Sequence, residues 1–396
     1  MAAVRYGSFF MAVPLRGEPP TDRSRSTLCK RAALVRALVI ESGDGLLRCC
    51  MDDLTERLRA LPKVELHQHV DGSIPPAVTW DLMRRHGLDP ASSLEEMQRR
   101  LEVQTDEEGA LLAYLDKMYY PLWITQFYEN IVDVTEAIVE AAAASGVTTL
   151  ELRYSPIIHT YAGLTPRQSI RAVLSGMNHA RKRHPQMKLG LIVIAMRQHG
   201  PHIAKIMARQ SLAEAQHLHE RTGVVGFDIA GPERGNPPRL FASAYQIALR
   251  GRLGLTVHAG EDGPPEYVWQ AIDELGATRI GHGCAAVKDP ELVRRLAHDR
   301  ILVECCLTSN RHTGAVPSGT RHPVFTLLDA GVPVAICSDN TTVSRTDAVA
   351  ESAHVAREIG FEAVATVHRA AEAFSFIRPE TALSAQDDDS KRAREV

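Results

Sequence analysis

Long apolar runs are missing from this chain. No stretch approaches the roughly 18 residues of a membrane span, and the apolar patch SFFMAVPL near the start lacks the small-residue cleavage site of a signal peptide. An excess of one charge is missing too. Lys and Arg number 45 against 48 Asp and Glu, a net charge of -3 with both signs mixed, which offers no positive face to a nucleic-acid backbone. The seven cysteines (Cys29, Cys49, Cys50, Cys284, Cys305, Cys306, Cys337) lack the spacing of a disulfide framework or a zinc ribbon. No Gly-rich dinucleotide or phosphate-binding fingerprint follows the first strand-like run. These absences leave a cytoplasmic protein with a small-molecule partner, not a membrane or nucleic acid. They say nothing of oligomeric state.

What is present is a repeated alternation. Eight short β-rich runs, KVELHQH, TTLELRYS, KLGLIVIA, VVGFDIA, LTVHAG, RIGHG, ILVECCL and VPVAICS, are separated by segments with helical spacing such as IVDVTEAIVEAAAASG and DPELVRRLAHD. Most of the runs are nearly continuous in apolar residues, as strands covered on both faces must be, and parallel strands need such crossovers. The count of eight predicts an α/β fold, a TIM (β/α)8 barrel, with an open doubly wound sheet as the competing architecture. The long interval from Asp71 to Ser145 predicts a helical insertion after the first strand, over the barrel mouth. Residues 1–50 read as a disordered extension, either a flexible arm or the product of a start codon upstream of Met51. Residues 51–380 read as the barrel and 381–396, charged and poor in apolar residues, as a disordered tail.

Chemistry in such a barrel sits at the C-terminal ends of the strands. The first strand ends in His67 and His69, the fifth in His258 followed by Glu261, the sixth in His282, the eighth in Asp339 and Asn340. Residues two apart on a strand face the same side, so His67 and His69 can point at one ion. Three imidazoles and a carboxylate suit zinc, which keeps one position open in a catalytic site. The other reading of any one histidine is a core or surface residue with a satisfied hydrogen bond, and the chain has 17 of them.

The motifs KVELHQHVDGSI, ELRYSP, GFDIAGPE, HAGE, RIGHG and SDN, in that order, resemble the adenosine deaminase family of the amidohydrolase superfamily, from about Leu61 to Pro379. The resemblance implies one Zn2+ per chain held by His67, His69, His258 and Asp339. A single ion is expected because GFDIAG offers no bridging lysine. It also implies hydrolytic deamination of adenosine or a closely related 6-aminopurine nucleoside, with Glu261 as general acid, His282 orienting the attacking oxygen and Asp339 taking the proton of the attacking water. His69, Asp71 and Gly231 would border the substrate, Asp71 on a ribose hydroxyl and Gly231 through its backbone N–H. Asn340 stands where many relatives have Asp, and Leu111, Leu112 and Leu115 stand in the lid where animal relatives have phenylalanines. These departures keep open a bulkier nucleoside such as aminodeoxyfutalosine. A metal barrel that only binds, and a two-metal ester hydrolase, are the alternatives from other classes. Arg153 and Arg197 read as structural ion pairs, and Cys305, Cys306 and Cys337 as small core fillers.

Overall fold

In the computed structural model, which describes residues 53–218 and 222–378, each β-rich run is a strand. They are β1 (Lys63–His69), β2 (Val147–Tyr154), β3 (Lys188–Met196), β4 (Val224–Ala230), β5 (Gly254–Ala259), β6 (Arg279–His282), β7 (Leu302–Cys305) and β8 (Val334–Ile336). Each pairs in parallel with the next, in the order β1 to β8. Sequential order excludes the doubly wound sheet, whose strand order reverses. The proposed extension 1–50 and tail 381–396 lie outside the described residues. No helix among the described residues is long and apolar enough to cross a membrane.

The seam that turns this sheet into a barrel lies between β1 and the end of β8. The His69 N–H donates to the Asp339 carbonyl at 2.7 Å, and the Asp339 N–H donates to the His67 carbonyl at 2.8 Å. The Glu65 carboxylate bridges the same seam, accepting from Ser338 N at 2.9 Å, Ser338 Oγ at 2.6 Å and His67 N at 2.9 Å. The barrel therefore closes through the residues expected to do its chemistry.

Between β1 and the crossover helix Tyr128–Ala144 come four shorter helices, Pro76–Arg85, Leu94–Leu101, Leu111–Asp116 and Tyr119–Ile124, the insertion expected there. Their last part is a lid with a small apolar cluster of its own, in which Val103, Tyr114 and Met118 pack on Val343. The Tyr114 hydroxyl lies 2.9 Å from Ser344 Oγ, which ties the lid to the loop after β8.

Charge is buried inside the barrel. Arg153 reaches Asp228 and Glu304 at 2.8 Å each, and Arg279 reaches Glu304 and Glu151 at 2.7 Å each, with every one of these side chains fully buried. Such charges are tolerable only when paired and hydrogen-bonded. Arg153 is thus the structural ion pair expected. Arg197 differs: its guanidinium donates to the backbone carbonyls of Asn236 and His258. The floor is sealed by the segment after the last helix, where the Phe376 ring lies 3.7 Å from the Arg279 guanidinium. Gly254 makes room for that ring, since a Cβ there would come within 2.1 Å of it. Cys284, Cys305, Cys306 and Cys337 are buried free thiols.

Candidate active site

The strand-end side chains converge. His69 Nε2 lies 3.3 Å from His67 Nε2, 3.2 Å from His258 Nε2 and 3.3 Å from Asp339 Oδ1, and His67 Nε2 lies 3.7 Å from the same oxygen. Four ligands each about 2.0–2.2 Å from one zinc stand about 3.4 Å apart along a tetrahedral edge, so this spacing fits a single ion. Burial and the Arg153 charge hold His67 well below the ordinary histidine range, and burial takes His69 down to about 3. Both rings are therefore neutral and present lone pairs.

The far sides of the rings say which nitrogen is which. His67 Nδ1 lies 2.7 Å from Glu304 Oε2, and His258 Nδ1 lies 2.8 Å from Asp228 Oδ2. A carboxylate at Nδ1 keeps the proton there and turns the Nε2 lone pair toward the centre, the usual support of a metal-bound histidine. For His258 burial pulls toward the neutral form but the Asp228 charge outweighs it, and the ring lies above the ordinary histidine range. Asp339 has both oxygens oriented, Oδ2 by the Ser309 hydroxyl and Oδ1 by Asn340 Nδ2 at 2.8 Å.

His282 stands across from Glu261, its Nε2 3.6 Å from Glu261 Oε2. Two backbone features bring β6 close enough. His282 itself has φ 64°, a left-handed conformation that a non-glycine residue adopts only when its surroundings enforce it. Gly281 lets the His67 ring approach, since a Cβ would stand 3.0 Å from that ring. His67, His258 and His282 also form a possible ligand triplet on distance alone.

Glu261 carries a raised carboxyl beside the same groups. Burial, helped by the Asp339 charge, raises its carboxyl to about 8, so it is largely protonated at neutral pH. It does not cap the following helix, whose N-cap is Pro264. Its loop is held by Glu233, which accepts from the N–H groups of Gly260, Glu261 and Asp262 at 2.9, 2.8 and 3.1 Å.

The pocket beside these groups is lined by His69, Asp71, Leu111, Leu115, Gly231 and Asn340, all anticipated from the sequence, and also by Tyr114 and Met118. The lid therefore keeps an aromatic ring facing the site, which the leucine count did not suggest. Asp71 Oδ1 and Asn340 Oδ1 are buried with no partner, and burial raises Asp71 to about 6. Asn340 spends one N–H on Asp339 and packs its amide over Gly72. The supporting residues Asp228, Glu233, Glu304, Ser309 and Asn310 were not singled out from the sequence. Their only signal was a polar residue inside or just after an apolar run, as in GFDIAGPE and ILVECCLTSN.

Comparison with known proteins agrees with this arrangement. The family model described as adenosine deaminase matches residues 62–385. The chain belongs to the adenosine deaminase family. An adenosine deaminase from Shewanella loihica is 36% identical over 304 residues, covering 76% of this chain and 89% of the relative. Among solved structures, adenine deaminase from Arthrobacter aurescens is similar at 26% identity and TM-score 0.73, covering 85% of this chain and all of that one. The N6-methyl-AMP deaminase from Arabidopsis thaliana is similar at 26% identity and TM-score 0.70, covering 86% and 99%. As a member of this family the protein is a hydrolase acting on cyclic amidines.

Proposed function

We propose that this adenosine deaminase family member hydrolyses a neutral 6-aminopurine nucleoside, adenosine or a close analogue, with water giving inosine and ammonia. The observation that carries the reading is Glu261, its carboxyl raised to about 8 by burial, beside a four-donor cradle at the mouth of one pocket. His67, His69, His258 and Asp339 would hold one zinc. Bound there, a zinc ion supplies hydroxide near neutral pH and stabilises negative charge. Glu261 donates its proton to the ring nitrogen beside the reacting carbon, which makes that carbon electrophilic. Asp339 takes the proton of the attacking water, and His282 donates from Nε2 to the incoming oxygen. The proton taken by Asp339 passes to the amino nitrogen, which leaves as ammonia, and the proton remaining on the attacking oxygen restores the acid form of Glu261 as the carbonyl forms.

Substrate choice follows from charge and from unpartnered atoms. Among the described residues the pocket lining carries Asp71, Glu233, Glu261, Asp262 and Asp339 and no Lys or Arg. A phosphate monoester would find no Lys or Arg side chain to pair with among these lining residues, which favours a nucleoside over the nucleotide that the Arabidopsis protein's name specifies. The orphaned Asp71 Oδ1 suits a sugar hydroxyl, since a buried acceptor without a partner costs about 1–3 kcal/mol. Gly231, at φ 94°, brings backbone to the purine edge where a Cβ would strike Gln198. Zinc-loaded protein should release ammonia from adenosine faster than from adenine, AMP or aminodeoxyfutalosine. No ammonia from any member of that panel would overturn the reading, and preference for aminodeoxyfutalosine would replace adenosine by a bulkier nucleoside.

A further inference from the structure

The four imidazoles of the centre do not all have the same kind of group behind them. Glu304 and Asp228 are acceptors at Nδ1 of His67 and His258. Behind His282 stands Asn310, its side-chain nitrogen 2.9 Å from His282 Nδ1. An amide nitrogen can only donate, and an amide oxygen only accept. Which end of Asn310 faces His282 therefore decides the tautomer of that ring.

A backbone group decides the orientation of Asn310. The Val324 N–H, an unambiguous donor, points at His322 Nδ1 at 3.0 Å, so this nitrogen carries a lone pair. His322 is consequently neutral with its proton on Nε2. That nitrogen lies 3.3 Å from Asn310 Oδ1, which accepts it. The amide nitrogen is then directed to His282 Nδ1, whose lone pair accepts, and the remaining proton of the neutral ring sits on Nε2. All three side chains are at most 3% exposed, so water does not compete.

We propose that Asn310 and His322 are positioning residues that lock His282 as the Nε2–H tautomer. The lock makes His282 a hydrogen-bond donor toward the reacting oxygen and removes it from the metal ligand set, although distance alone would admit it. The chain of three hydrogen bonds starts at the N-terminus of the helix Pro323–Asp329, where His322 is also the N-cap. The sequence signature is the pair CLTSN and RHP, 12 residues apart between Asn310 and His322. The inference rests on the donor role given to His282 above, but its test does not depend on turnover.

The test is 15N NMR of histidine-labelled, zinc-loaded protein, with the His282 signals assigned by their loss in His282→Gln. In the wild type His282 should show a protonated Nε2 and an unprotonated Nδ1. Asn310→Asp replaces the donor by an acceptor and should move the proton to Nδ1. With it kcat should fall by about 10²–10³, the usual loss of one such donor, while KM changes little. Asn310→Ala should give a mixture of tautomers, and it serves if the Asp variant does not fold. A wild-type ring protonated on Nδ1, or an unchanged Nε2–H ring in both variants, would overturn the proposal. If the tautomers behave as stated but no aminopurine is deaminated, the lock stands and the proposed reaction falls.

Discussion

At the scale of single residues, the site works by setting proton positions. In its proposed role as acid Glu261 acts only when protonated, and its raised range means that this form is lost as pH climbs through about 8. A bound cation favours the carboxylate and moves that loss to lower pH. A pH profile of kcat/KM should therefore descend on the alkaline side, at or below about 8. Glu261→Gln should remove about 10²–10⁴ of kcat and still bind nucleoside, measured by calorimetry. Full turnover in that variant would contradict the acid role. Glu304 makes a different prediction. Glu304→Gln loses the carboxylate behind His67, and zinc affinity should weaken about 10–100-fold in a competition titration with a chelator.

At the scale of elements, the lid and the floor are each fastened by one aromatic side chain. Tyr114 joins the helix Leu111–Asp116 to Ser344, and Tyr114→Phe keeps the ring while losing that bond. A hydrogen bond contributes about 0.5–1.5 kcal/mol, so KM for nucleoside should rise about 2–10-fold with kcat nearly kept. On the floor, Gly254→Ala forces a methyl into the Phe376 ring and should cost about 1–3 kcal/mol in urea unfolding. The cost should shrink in a Phe376→Ala background, because the two changes share one contact. The strands were legible in the sequence because double-sided burial leaves continuous apolar runs, and the histidines that converge at their ends because a histidine in such a run is costly. Tyr114 was not. Helices of six residues give too few turns for a spacing pattern, so the lid face could not be read from ALLAYLDKMYY. Glu304 and Asp228 were hidden for another reason. Inside an apolar run a lone carboxylate has no visible partner until Arg153, Arg279 and the histidines are brought to it from other strands.

At the scale of the whole molecule, fold and site are one construction. His67, His69 and Asp339 hold the β1–β8 seam through their backbones, and in the proposed site their side chains would hold one ion. Zinc should therefore stabilise the entire barrel. Chelation should lower Tm, and added zinc should restore it. At 100 times Kd the gain is about 2.7 kcal/mol, a shift of several degrees readable by calorimetry. An unchanged Tm would mean that the ion adds nothing to the seam.

The seam joins the first strand to the last, and this imposes an order on assembly. A ribosome must deliver almost all of the barrel before the carboxylate of Asp339 can meet the imidazoles of His67 and His69. Any partly made or truncated chain would offer the proposed cation an incomplete grip, so filling of that site would be a late event that reports completion of the fold.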